Sequence, residues 1–173
     1  RLDKLAEEGD PYAMNLPMPH PEGRYDFSFS GLKTAATGLA AHQLAGQEWP
    51  RPLTDIAHAP QALKDYCASF NLAVVDTLCA KMARALDRNP GVTTLLMAGG
   101  VACNSLLRER IEQLMQGRGG QAYIPGPLLC TDNAAMIAHA GWLLGARGFS
   151  HDLRMETIPR GKIIPDDMLC SLC

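Results

Sequence analysis

Two short stretches carry the side chains best suited to chemistry: Met97-Ala98-Gly99-Gly100-Val101-Ala102-Cys103-Asn104 and Leu129-Cys130-Thr131-Asp132-Asn133-Ala134-Ala135-Met136. In each, an apolar run gives way to a bend of small residues bearing a polar side chain, and a helical pattern follows. Bends of this kind are where α/β proteins hold ligands, at the ends of strands. At Gly99-Gly100 the missing Cβ atoms let backbone amides approach a bound group, and the N-terminus of the following helix favours an anion such as a phosphate or a carboxylate. Asn104 is either a ligand contact or the N-cap of the helix that begins Ser105-Leu106-Leu107, since asparagine is a preferred capping residue. Asp132 divides the same way: Thr131-Asp132-Asn133 is a good capping sequence, and a carboxylate is also a metal ligand. One carboxylate does not make a metal site, so binding there needs further ligands that converge on it.

The other candidates fit structural roles. His20, His42, His58, His139 and His151 are scattered, with no pair at i, i+4. Only His139 is near Asp132 in sequence, and the intervening helix puts it about 10 Å away, too far for a shared coordination shell. It reads as a surface or hydrogen-bonded helix residue. Ser28, Ser30, Lys33 and Thr34 invite a nucleophile-and-base reading, yet no third orienting group is visible, and capping and solvation account for them. Cys170-Ser171-Leu172-Cys173 has CxxC spacing without the strand-to-helix context of a redox motif, which makes it a tail feature.

The elements that must position these residues follow from periodicity. The chain opens in helical rhythm at Arg1-Leu2-Asp3-Lys4-Leu5-Ala6, without an initiator methionine, and this predicts a continuation of something longer. Prolines 11, 17, 19 and 21 then impose an irregular connection. Residues 25–30 alternate aromatic with polar and predict a strand; residues 32–44 predict a helix with Ser30 as its N-cap. A loop over 46–60 holds Pro50, Pro52 and Pro60. From Gln61 to Asp87 there is no Gly or Pro, and Leu63, Tyr66, Cys67, Phe70, Leu72, Val74, Leu78, Met82 and Leu86 recur at helical steps, which predicts a long core-facing helix. Asn89-Pro90-Gly91 stops it. A buried strand over 92–97, a helix over 105–116, a strand over 121–124 and a helix over 133–146 complete the pattern. Helix and strand in alternation argue for a partly parallel sheet under helical cover, an α/β fold.

Composition sets outer limits. With 173 residues, 47% of them hydrophobic and 20% charged, the chain suits one globular domain, here placed at 1–148 with a polar tail at 149–173. A formal net charge of −2 supplies no global basic field, so nucleic acid would have to meet a local patch or another subunit. Cysteines 67, 79, 103, 130, 170 and 173 show no framework spacing, which fits free thiols in a reducing cytoplasm. No run reaches the length of a membrane span, and no secretory signal opens the chain, so no membrane partner is expected.

Phe27-Ser28-Phe29-Ser30-Gly31-Leu32-Lys33-Thr34-Ala35, Ala98 to Arg108 and Cys130-Thr131-Asp132-Asn133-Ala134-Ala135-Met136-Ile137-Ala138, in this order, resemble the C-terminal half of the TsaD family, the tRNA threonylcarbamoyladenosine synthases once labelled O-sialoglycoprotein endopeptidases. The resemblance extends to about Gly148. It implies an actin/Hsp70/sugar-kinase-like (RNase H-like) fold, of which this chain would be a helix-rich half with a small mixed sheet. It implies transfer of threonylcarbamoyl from threonylcarbamoyl-AMP to N6 of the adenosine that follows the tRNA anticodon. By the same resemblance Asn104, with Gly99 and Gly100, contacts the adenylate, and Asp132 ligates one divalent metal, iron or zinc. A related paralogue and a small ATPase are the implied partners, alongside tRNA. The departures matter too. The family's His-x-x-x-His ligand pair belongs to an N-terminal half that does not occur in this sequence, and Pro159-Arg160-Gly161-Lys162-Ile163-Ile164-Pro165 replaces the usual Arg-Trp-Pro-Leu-like ending. The expected function is therefore that of a threonylcarbamoyltransferase fragment, inactive alone because one carboxylate holds a metal weakly and a one-walled cleft admits water. The alternative is a non-catalytic binding or docking module. Glycopeptidase activity is disfavoured, since no protease triad or complete zinc-protease motif is present.

Overall fold

A computed structural model describes residues 2–17, 29–46 and 58–150. Residues 25–28 of the strand expected over 25–30, most of the loop expected over 46–60, His20, His151 and the tail with Cys170 and Cys173 lie outside the described residues, while Phe29 and Ser30 belong to the start of a helix and not to a strand. What is described falls into two compact units that divide between Asp132 and Asn133.

The first unit is built on one long helix. After the short helix α1 (Leu2–Ala6) and the helix α2 (Ser30–Gln43), α3 runs from Gln61 to Asp87, the bounds expected from the absence of Gly and Pro. Pro60 precedes α3, where its fixed φ suits entry into a helix. Three apolar clusters are strung along it. Leu5 of α1 meets Ala59 and Cys67; Leu16, Leu32 and Ala36 meet Ala73; Leu107 and Ile111 meet Val75. Because α3 is covered on several sides, small or polar residues such as Ala68, Ser69, Asn71 and Thr77 are buried along it beside Val75. Most of the large residues expected to face the core, including Leu63, Tyr66, Phe70 and Met82, are half-buried around them. A wide apolar residue packs at the margin of two helices, whereas their closest approach admits only small groups.

The expected capping role of Ser30 does not hold. The amide of Lys33 donates to the Phe29 carbonyl at 2.8 Å, so the helix already includes Ser30, whose own carbonyl accepts from the Thr34 hydroxyl at 3.0 Å. Thr34 and Lys33 are exposed on α2, and no nucleophile-and-base pair forms there among the described residues.

Beyond α3 come β1 (Thr94–Leu96), a 3₁₀ turn (Gly100–Cys103), α4 (Ser105–Gln116), β2 (Gln121–Tyr123) and the short α5 (Pro127–Cys130). The two strands pair in parallel, Thr94 with Gln121, Leu95 with Ala122 and Leu96 with Tyr123, so that α4 is the crossover of a βαβ unit. Alternation along the strands sends Leu95 and Ala122 into the cluster around Val75, Leu107 and Ile111. Leu96 and Tyr123, on the other face, are 78% and 55% exposed. The first strand is therefore half-covered rather than buried as its apolar sequence predicts, because α3 and α4 shield one side only. Both described strands are parallel, so nothing mixed is seen in this sheet among the described residues.

In the second unit, α6 (Ala134–Ala146) begins one residue after the Asn133 side chain, which caps it by accepting from the Met136 amide at 3.0 Å. His139 and Trp142 stack on its surface with ring centroids 5.9 Å apart. No described helix is long and apolar enough to cross a membrane.

Candidate active site

The first bend follows β1 directly, and the second follows β2 by way of α5. Gly99 has φ 94° and ψ 170°, a conformation that side chains rarely adopt, and it turns the chain from β1 into the 3₁₀ turn, where the Ala102 amide donates back to its carbonyl at 2.9 Å. A Cβ built on Gly99 or Gly100 would meet nothing within 4 Å, so both glycines face open space that a ligand can enter. Next to them an open, largely apolar groove of about 470 Å3 is lined by Leu96, Met97, Ala98, Tyr123, Ile124 and Pro125.

Asn104 is half-buried, and both polar atoms of its side chain are engaged. Its Oδ1 accepts from the Leu107 amide at 2.9 Å, capping α4, and its Nδ2 donates to Oδ1 of Asn71 on α3 at 2.6 Å. One amide hydrogen and one lone pair remain for anything else. The N-terminus of α4 is also partly satisfied from within the chain: the amide and hydroxyl of Ser105 both donate to the Asp3 carboxylate at 3.2 Å. An anion expected at that helix end would compete with a resident carboxylate. The glycines, not the first turn of α4, are left as the open approach.

Asp132 is exposed, and among the described residues no hydrogen bond or ion pair occupies its carboxylate. Capping falls to Asn133 instead, which leaves the aspartate oxygens available. As a metal ligand it would supply one hard oxygen. Among the described residues no three of His, Cys, Asp and Glu gather, so the described donors do not complete a coordination shell around Asp132.

Arg108 joins the two bends, and the sequence reading did not single it out. From the first turn of α4 its Nε donates to the Ala102 carbonyl at 2.5 Å, while Nη2 donates to the Pro125 carbonyl at 2.6 Å and to the Cys130 thiol at 3.2 Å. The Cys130 thiol in turn donates to Pro125 at 3.3 Å, and Cys103 approaches the Pro127 carbonyl at 3.6 Å. Ala102 stands two residues before Asn104, and Cys130 two residues before Asp132. One guanidinium thus fastens the approach to each candidate residue. A signal existed in the sequence: a cation in the first turn of a helix opposes the helix dipole, so an arginine there needs another occupation. Asn71 gave a similar signal, as an amide in the middle of an apolar helix.

A family model, TsaD, described as tRNA N6-adenosine threonylcarbamoyltransferase, matches residues 1–139. Among curated proteins of that same name, one from Desulfovibrio desulfuricans is 62% identical over 168 residues, covering 96% of this chain and 46% of the relative. Another, from Nitratidesulfovibrio vulgaris, is 45% identical over 172 residues, covering 96% and 48%. A third, from Symbiobacterium thermophilum, is 45% identical over 159 residues, covering 92% and 43%. The chain spans about half the length of the curated relatives it matches.

Proposed function

The chain belongs to the TsaD family, whose members are named tRNA N6-adenosine threonylcarbamoyltransferases, and from that premise we propose that it forms the C-terminal half of an active site for this acyl transfer. The observation that carries the reading is the exposed Asp132 carboxylate, without a hydrogen bond or ion pair among the described residues, on a bend that Arg108 ties to the Gly99-Gly100 turn. In the reaction, the N6 amine of adenosine attacks the carbamoyl carbonyl of threonylcarbamoyl-AMP; the bond to the phosphate oxygen breaks, AMP leaves and the amine loses its proton.

This chain's share is to bind and orient. Gly99 and Gly100 would admit the phosphate and ribose close to the backbone, and the remaining amide hydrogen of Asn104 would reach the adenylate. Asp132 would supply one ligand to a divalent ion, iron or zinc, with the other ligands coming from the His-x-x-x-His pair of an N-terminal half. Such an ion supplies Lewis-acid polarisation of the acyl group. The actin-like arrangement, in which a second domain closes over the nucleotide, belongs to the same proposal, as do cytoplasmic placement and assembly with a paralogue and a small ATPase.

The test joins this chain to the N-terminal half of the Desulfovibrio desulfuricans relative. The chimera, with threonylcarbamoyl-AMP, tRNA and metal, is expected to form threonylcarbamoyladenosine detectable by mass spectrometry of the nucleosides. The 173-residue chain alone is expected to form none. Asp132→Ala in the chimera should remove the product. An Asp132→Ala chimera as active as its parent would overturn the reading, and a correctly folded but inactive chimera would favour the docking-module alternative.

A further inference from the structure

The hydrogen bonds of the Arg108 guanidinium go to two backbone carbonyls and a thiol, none of them on Gly99, Gly100, Asn104 or Asp132. Its guanidinium spans three segments at once: the end of the 3₁₀ turn at Ala102, the exit of β2 at Pro125, and the end of α5 at Cys130. Leu128 and Leu129 are 89% and 61% exposed, and Cys130 is the one buried side chain of α5. The turn that bears Asn104, by contrast, is held independently by its own cap on α4 and by Asn71.

We infer that Arg108 is a positioning residue, a strut that fixes the Asp132-bearing bend against the glycine turn and so sets where the carboxylate stands. The inference rests on the proposed role of Asp132. A planar guanidinium can serve several acceptors in fixed directions; a lysine ammonium can replace one of these bonds but not the fork. Loss of the fork frees the bend and leaves α4 intact, because the backbone hydrogen bonds and the apolar face of α4 (Leu107, Ile111 and Met115) do not involve the arginine side chain.

The experiment compares unaltered protein with Arg108→Lys and Arg108→Ala by amide hydrogen exchange on the 173-residue chain. Expected is a rise of about tenfold or more in exchange over 128–132, with amides of 109–115 changed by less than about threefold. Equal acceleration in both segments, or none in the bend, would overturn the inference. Arg108→Lys keeps the charge and one donor, so it reports even if Arg108→Ala fails to fold. In the chimera, cobalt(II) serves as a spectroscopic probe of the metal site, and its dissociation constant should rise about tenfold or more in Arg108→Lys. Unchanged cobalt affinity in Arg108→Lys alongside lost affinity in Asp132→Ala would overturn the role of Arg108 while leaving that of Asp132 standing. Unchanged affinity in Asp132→Ala would instead remove the functional reading, and the exchange result would still decide whether Arg108 holds the bend.

Discussion

Adjacent glycines at the candidate site make opposite demands. Gly99 has φ 94°, so Gly99→Ala is strained whatever space surrounds it, and a backbone held in such a region costs about 1–3 kcal/mol. Gly100 has no positive φ, and a Cβ there meets nothing within 4 Å. Gly100→Ala should therefore leave the urea midpoint of the chain unchanged. If the glycines admit a phosphate, the same substitution raises the KM of the chimera for threonylcarbamoyl-AMP; equal KM would show that Gly100 has no part in binding. Asn104 can be dissected in the same way. Removing both its cap and its bond to Asn71 in Asn104→Ala should cost about 1–2 kcal/mol, while Asn104→Ser keeps a capping oxygen and should lose less. Equal denaturation midpoints for the two variants would mean that the cap contributes nothing.

At the scale of elements, β2 and α4 depend on a glycine that the periodicity does not mark. A Cβ on Gly120 would lie 2.6 Å from the Thr93 carbonyl oxygen and 2.7 Å from the Met115 side chain. Gly120→Ala therefore pushes β2 off β1 and should destabilise by about 1–3 kcal/mol or more by overpacking. Gly91→Ala, in open space, is the control and should be near neutral. Along α3, burial raises the thiols of Cys67 and Cys79 above their ordinary 9.0, and for Cys79 the nearby Asp76 adds to this while Arg110 opposes it. Burial also raises Tyr66 above 10.0, followed by its neighbour Cys67. Groups that resist ionisation in the folded state contribute stability that is intact below the ordinary value and lost as pH rises through the shifted one. The denaturation midpoint should thus be insensitive to these groups at pH 8 and fall above 9.0, and Cys67→Ala with Cys79→Ala should flatten the fall. An unchanged slope would assign it to other groups. The bounds of α3 and α4 were legible because a helix without Gly or Pro, or with an asparagine before it, is written locally. The 3₁₀ turn and α5 were not, since each is four residues long and too short for a period to show. The site was legible as two motifs. Their connection through Arg108 was hidden because it runs to backbone carbonyls, which have no side-chain signature, and to a thiol remote in sequence.

The whole molecule is shaped by what its sheet leaves uncovered. Helices shield one face of β1 and β2, and at the ends of the strands Leu96, Val101, Tyr123, Leu128 and Leu129 are each more than half exposed. Among the described residues the sheet has two parallel strands and one largely exposed face, which makes a poor independent unit, since parallel strands are ordinarily covered on both sides. Exposed apolar side chains drive association where they form a patch. The relatives carry about as much chain again beyond the matched part, which is where the cover for such a face would come from if the halves assemble. The isolated chain should accordingly self-associate with rising concentration in light scattering and bind an apolar dye such as ANS. Leu96→Ser with Tyr123→Ser should weaken both signals without lowering helix content, because neither side chain packs in the cluster under the sheet. In the chimera the dye signal should fall toward that of an ordinary globular protein. A chain that stays monomeric and dye-free on its own would show that this face is stable in water, and the structural reason for expecting a second half would then be lost even though the family assignment stood.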